Sequence, residues 1–234
     1  MWCYALGIVP GRPYVFRNGA RLRIARGVEH VPIIEIFLRR DYGPMPEDGV
    51  VLDLGASTGV FAAYVLAESP RARVLSFEPM PASYELLREN IRLNGGEQRV
   101  IAQQAGVTAD GGERDLIVGT FFPSFLADVP TVAGATETVR VPTVTIEEIF
   151  HRHGLTSVDV LKLDIEGAEY EVLYGTGAEL LSRISAIRME GHDLDGDRRN
   201  VTALLDFLTD AGFRVTRQER DAGDVVSVWL DRRD

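Results

Sequence analysis

From residue 50 onward the chain alternates two hydrophobic patterns. Val50, Val51, Leu52 and Leu54 are apolar on both parities, which is the mark of a strand buried on both faces of a parallel sheet. A helix from Val60 to Glu68 follows, and the pair then repeats. Arg73 to Glu78 reads as a second strand. Pro81 to about Asn94 reads as a helix with Tyr84, Leu87 and Ile91 on one face and Gly95-Gly96 as its stop. Arg99 to Ala105 is the third strand. The capping box Thr145-Ile146-Glu147-Glu148 opens a helix to about His153, with Gly154 at its end. Val158 to Asp164 and Ser185 to Glu190 are strands four and five. A helix carrying Glu166 and Glu169 lies between them, and one from about Arg199 to Ala211 follows. Phe213–Glu219 and Val225–Leu230 form a terminal antiparallel hairpin.

Before this alternation, Tyr14 to Ile24 predicts a hairpin turning at Asn18-Gly19 in type I′ geometry, a ribbon added to the main sheet. It either lids the site or covers a sheet edge, and the second is favoured. Pro32 suits the first turn of a helix whose apolar face is Ile33, Ile34, Ile36, Phe37 and Leu38, with Glu35 set among them. Thr108 to Arg140 is the least regular stretch. Asp110 to Glu113 reads as a turn and Asp115 to Val118 as a short strand. Phe121, Phe122, Phe125 and Leu126 form either satellite core, the favoured reading, or the wall of an acceptor pocket. No repeats or low-complexity linkers occur. The fold class is α/β, as one domain over 1–234, with an extension over 1–45 and a core over 46–234.

The glycine turn changes the picture from fold to chemistry. Gly55 and Gly59 bracket Ala56, Ser57 and Thr58 between the first strand and its helix. A ligand can approach a turn without Cβ atoms closely, and the helix start offers free N–H groups. Glu78 ends the neighbouring strand about 20 residues on, where an acid takes ribose hydroxyls. The G-x-G-x-x-G fingerprint of a dinucleotide site is absent, as is the Lys-Ser/Thr ending of a P-loop. Asp53 beside the turn repels a pyrophosphate and suits a cation. These residues favour S-adenosylmethionine, a sulfonium nucleoside, over NAD. Gln103, Gln104 and Ala105 end the third strand beside the adenine position, although amides there are more often solvated. His151 and His153 point to different sides of their helix and read as solvated surface.

Composition narrows partners. The formal net charge is −10 with pI near 5.0, which disfavours a nucleic-acid partner. The single cysteine, Cys3, builds no disulfide framework or cysteine-rich zinc site. Met1 to Pro10 lacks the basic region of a signal peptide, and the longest apolar run, Val60 to Ala67, is too short to cross a membrane. The expectation is a soluble cytoplasmic protein with no membrane partner; a homo-oligomer is left open.

A second chemical centre lies at Lys162-Leu163-Asp164-Ile165-Glu166-Gly167-Ala168-Glu169. Asp164 ends its strand and projects into the same crevice as Gly55 and Glu78. Helix-start acids account well for Glu166 and Glu169, less well for Asp164. Glu190 ends the next strand, and His192 follows in the loop, where it could act as a general base.

The motifs Asp53-Leu54-Gly55-Ala56-Ser57-Thr58-Gly59, Phe77-Glu78-Pro79, Asn90 through Asn94, and the run from Lys162 to Glu169 resemble the FkbM-type family of S-adenosylmethionine-dependent methyltransferases. The resemblance covers roughly Glu35 to His192. It implies a Rossmann-like class I methyltransferase fold, a mostly parallel seven-stranded sheet with an antiparallel C-terminal strand, and O-methylation of a small-molecule hydroxyl on a sugar, polyketide or other natural product. Glu35 and Tyr42 then gain weight as cofactor-side residues, beside Asp53, Gly55, Ala56, Ser57, Gly59, Glu78, Pro79, Gln104, Ala105 and Asp164. Ser57 departs from the Asn often found in that turn. His192 and Asp164 are the candidate bases. Glu190 either orients His192 or joins Asp164 in holding Mg²⁺. The rival readings are an NAD-dependent oxidoreductase on the same fold and a non-catalytic cofactor-binding or scaffold domain.

Overall fold

The computed structural model describes residues 13–24, 30–118, 123–126, 137–220 and 225–233. Cys3, Phe121 and Phe122 lie outside the described residues. Strands β1 (Tyr14–Val15) and β2 (Arg21–Leu22) pair antiparallel as a sheet of their own and do not join the main sheet as expected. Of the two turn residues only Gly19 has a positive φ, so the turn is not type I′. The Gly19 N–H donates to the Phe16 carbonyl and the Phe16 N–H to that of Ala20, which makes a turn followed by one left-handed residue.

Helix α1 (His30–Ile33) runs straight into one π-helical turn, Ile34–Arg39, which no sequence pattern announces. Next come β3 (Val50–Leu54), α2 (Val60–Glu68), β4 (Arg73–Phe77), α3 (Pro81–Leu93) and β5 (Val100–Gln103). Strands β6 (Gly106–Val107), β7 (Gly112–Val118) and β8 (Glu137–Val144) form a separate three-stranded sheet in the order β6-β8-β7. That sheet occupies the stretch read as irregular, and the expected turn at Asp110–Glu113 extends into β7. Then follow α4 (Ile146–His153), β9 (Val158–Leu163), α5 (Glu169–Gly175), α6 (Ala178–Leu181), β10 (Ile184–His192), α7 (Val201–Asp210), β11 (Phe213–Arg220) and β12 (Val225–Arg232).

The main sheet has seven strands in the order β11-β12-β10-β9-β3-β4-β5. Strand β12 runs antiparallel to both of its neighbours, while β10, β9, β3, β4 and β5 pair parallel. This is the expected class I arrangement. Strand alternation builds two cores. Leu52, Leu54, Leu75, Leu161 and Leu163 face α4, α5 and α7, whereas Val51, Val74 and Val160 face α2 and α3.

Helix α2 has no polar face, and every residue from Val60 to Leu66 is buried. Its outer side needs a cover, and the N-terminal segment supplies it. Phe16 stacks on Phe37 at 4.1 Å between ring centroids, and Phe37 meets Tyr64 edge-on at 5.5 Å. The hairpin therefore covers a helix, neither lidding the site nor covering the sheet edge.

Two asparagines one turn apart on α3 hold it there. Asn90 Oδ1 accepts the Arg23 N–H at 2.7 Å, and its amide donates to the carbonyls of Arg23 (2.8 Å) and Thr58 (2.7 Å). Asn94 makes the same pair of bonds with Arg21. The two amides act as a strand edge for the chain around β2. Asn90 is fully buried and also fixes the turn after β3. Asn90→Ala leaves those backbone groups without partners and is expected to cost about 2–4 kcal/mol in urea unfolding; Asn94→Ala, nearer solvent, is expected to cost about 1 kcal/mol.

Candidate active site

A cavity of about 260 Å³ lies at the carboxyl ends of β3, β4 and β9. Its floor is the glycine turn. Gly55 has φ +78° and its N–H donates to the Phe77 carbonyl, as does that of Ala56. A Cβ at Gly55 would lie 1.8 Å from the Asp164 carbonyl oxygen, so only glycine fits. Ser57 also has a positive φ, +48°. Glu78 closes the turn from β4: one carboxyl oxygen accepts the Ser57 N–H and the other the Met80 N–H, both at 2.8 Å. Burial pushes the Glu78 carboxyl up to about 7 against the pull of those two N–H groups.

Glu35, Gly55, Ala56, Ser57, Glu78, Pro79, Ala105, Asp164 and Glu190 all line the cavity. Five other expected residues do not. Gly59 sits where α2 meets α3, and a Cβ there would press on Leu87 at 2.8 Å. Gln104 is exposed. Its neighbour Gln103 bonds the His153 ring at 2.7 Å, so that histidine is partnered and half-buried, contrary to the solvated expectation. Asp53 is fully buried beneath the turn, 3.3 Å from the Lys162 ammonium, and accepts the Ser76 hydroxyl at 3.0 Å. It meets a cation, but one the chain itself provides. Tyr42 lies behind the wall, its hydroxyl 3.2 Å from Asp164 and 3.1 Å from Glu190.

His192 departs furthest from expectation. Strand β10 runs through it, because pairing with Val225 on β12 extends the ladder past Glu190. Its Nε2 lies 3.7 Å from Glu166 and its Nδ1 3.6 Å from Glu169, distances of ion pairs without hydrogen bonds. Burial lowers its pKa, but Glu169, Glu166 and Asp164 outweigh that and raise it to about 10. The flanking acids favour the imidazolium form, which has no lone pair to accept a proton, and the ring is not among the residues that line the cavity. Glu166 is not on a helix either. It stands in the loop before α5 with φ +53°, lines the cavity, and is held by the Ser124 hydroxyl on its carbonyl at 2.7 Å. Burial and the Asp164 charge raise its carboxyl to about 8.

Lys162 was quoted in the sequence only as part of a motif. A lysine inside an apolar strand is the signal that marks it. Its ammonium donates to the Gly55 carbonyl at 2.6 Å and faces Asp53, Asp164 and the Tyr42 ring. Burial lowers its pKa, but Asp53 and Asp164 more than reverse this, so it stays charged. The cavity's apolar side is Phe77, Ala105, Val107, Leu116 and Phe125. Phe125 is thus pocket wall, against the favoured core reading. Its ring lies over Gly106, where a Cβ would collide with it. Behind Tyr42, the Trp229 indole N–H donates to the Asp41 carbonyl at 2.5 Å, and Gly43 packs on the same ring.

Mg²⁺ favours about six oxygen ligands. Asp164 and Glu190, the pair expected to hold it, both turn to one phenol, and among the described residues no group of three or more His, Cys, Asp or Glu is set to hold a metal ion. The donor set does not fit that ion. A second depression, about 550 Å³, lies near the starts of β9 and β10 and gathers none of the expected site residues. No helix among the described residues is long and apolar enough to cross a membrane.

The turn geometry predicts contrasting variants. Gly55→Ala is expected to lose about 3 kcal/mol or more and to lower the thermal midpoint measured by circular dichroism. Ser57→Asn is expected to stay within about 1 kcal/mol of the parent, since Asn adopts left-handed φ more readily than Ser.

Comparison with known proteins agrees with this architecture. "Methyltransferase sdnD" of Sordaria araneosa is 28% identical over 225 residues, covering 82% of this chain and 85% of its own. "31-O-demethyl-FK506 methyltransferase FkbM" of Streptomyces tacrolimicus is 28% identical over 198 residues, 72% of this chain and 75% of its own. The crystal structure of "Methyltransferase FkbM" from Methylobacillus flagellatus superposes with a TM-score of 0.55 at 15% identity, over 83% of this chain; this chain spans only 47% of that one. Residues 53–215 match the family model described as the methyltransferase FkbM domain, and the chain belongs to that family.

Proposed function

We propose that this protein transfers a methyl group from S-adenosylmethionine to a hydroxyl of a small molecule, with a sugar, polyketide or other natural product as the acceptor class. The observation that carries the reading is one cavity with Glu78 at one wall, the Gly55 cradle below, and Glu35, Asp164 and Glu190 at the other. An anionic pocket of that shape matches a nucleoside bearing a sulfonium and an ammonium, and it opposes a pyrophosphate. When bound, the cofactor supplies an electrophilic methyl group. Glu78 would take the ribose hydroxyls and the wall of Ala105, Val107 and Phe125 the adenine. Asp164, at the tip of β9 and part exposed to the cavity, holds a carboxylate where an acceptor hydroxyl can give up its proton. The oxygen in the name of the Streptomyces relative supports a hydroxyl acceptor. The net charge of −10 supports a partner other than nucleic acid.

Glu78 gives the reading a pH signature. Its free carboxyl titrates near 7, and ribose hydroxyls bond the ionised form better. Binding should therefore expel a proton, and affinity should fall as pH drops through 7. Calorimetry with S-adenosylhomocysteine is expected to show proton release near pH 7 and an affinity about tenfold weaker at pH 6 than at pH 8. In Glu78→Gln both effects should vanish and binding should weaken by about tenfold. Binding of NADH with no binding of S-adenosylhomocysteine would overturn the assignment.

A further inference from the structure

We infer that Tyr42 makes Glu190 and Asp164 share one proton, so that Glu190 is a neutral donor and Asp164 the anion of the pair. Tyr42 and Glu190 are then positioning residues acting through Asp164, a role that rests on the methyl-transfer reading above.

The argument is a count of hydrogens. The Tyr42 hydroxyl has carboxyl oxygens at 3.1 Å (Glu190 Oε1) and 3.2 Å (Asp164 Oδ2). A phenol has one hydrogen to give. If both acids were ionised, one contact would set lone pair against lone pair in a buried setting. Both contacts become hydrogen bonds when one acid carries a proton and donates it to the phenol oxygen.

Geometry says which acid that is. Asp164 lies 3.7 Å from the Lys162 ammonium and its side chain is 31% exposed, so it can remain an anion. Glu190 has acids for neighbours: Asp164 across the phenol and Glu35 from the π turn. Lys162 is committed to Asp53, Asp164 and the Gly55 carbonyl. Among the described residues the other cations nearby are also engaged. Arg188, on the same strand, bonds Asp231 and the Leu230 carbonyl, and His192 sits between Glu166 and Glu169. The residue opposite Glu190 on β12 is the uncharged Ser227. Burial and the charges of Asp164 and Glu35 push the Glu190 carboxyl well above its usual range, and burial does the same for the Tyr42 phenol. Both shifts favour the protonated form.

The relay runs Glu190 O–H to Tyr42 O, then Tyr42 O–H to Asp164 Oδ2. It fixes the rotation of the Asp164 carboxylate and occupies one oxygen. Oδ1 receives no hydrogen bond from the described residues, which leaves it as the acceptor for a cofactor cation or a hydroxyl proton.

Infrared difference spectroscopy of the full chain at pH 7 tests this without cofactor or acceptor. Parent minus Glu190→Gln is expected to show the C=O stretch of an un-ionised carboxyl lost from the variant. Loss of carboxylate absorption in its place would overturn the proposal. Should Glu190→Gln not fold, Tyr42→Phe reads the same group: the un-ionised band should move to higher frequency or be lost once the phenol oxygen is gone, and a band unmoved from the parent's would count against the relay. With S-adenosylhomocysteine as probe, Glu190→Ala is expected to weaken binding about tenfold and Glu190→Gln to recover most of that loss, since an amide N–H replaces the acid O–H. Gln binding no better than Ala would also sink the relay. A parent that ignores S-adenosylhomocysteine would defeat the methyl-transfer reading while leaving the infrared result to stand alone.

Discussion

The site depends on one ion pair placed where β3 and β9 lie side by side. Asp53 and Lys162 are register partners in those strands, both almost wholly buried. A buried charge left alone is costly, so each holds the other in place. The lysine has donors left over, and these fix the carbonyls of Leu54 and Gly55 just as the chain leaves the strand. The direction in which the glycine turn departs is thus set from beneath. Asp164, two residues beyond the lysine, shares the same ammonium.

This arrangement gives the neighbouring acids separate characters. Asp53 is neutralised by a lysine, Glu78 is held by two backbone N–H groups, and Glu166 and Glu169 flank a histidine. Asp164 has one oxygen that no described residue hydrogen-bonds. A crevice that looks uniformly acidic in sequence is therefore a graded set of environments, differing in burial and in whichever donor lies closest. The N-terminal segment belongs to the same design. It covers the apolar helix α2, and through Asn90 its backbone is tied to the turn under the cavity.

Much of this was legible in the residues. Strands apolar on both parities read as central and parallel, and the seven-stranded sheet with its antiparallel C-terminal strand followed from the resemblance that the motifs carry. Gly55, Glu78 and Asp164 were readable because strand ends in such a sheet converge. What was missed depended on partners distant in sequence. The length of β10 is set by β12, so His192, a loop residue by its sequence pattern, ends a strand instead. The π turn and the left-handed Glu166 have no periodicity to betray them. The small β6-β8-β7 sheet pairs segments that lie apart in sequence. In the sequence Asn90 and Asn94 stand only as part of a motif, and only the chain around β2 shows what their amides are for.

Trp229 gives the chain an order of completion. Its indole grips the Asp41 carbonyl from 188 positions further along the polypeptide, and Gly43 rests on the same ring. The backbone on either side of the Tyr42 phenol is therefore held by a residue of β12. During ribosomal synthesis the crevice stays unfinished until the stretch that carries Trp229 has emerged. A contact so non-local must also be among the slowest to form, which makes competence for chemistry a late event in the life of each new molecule.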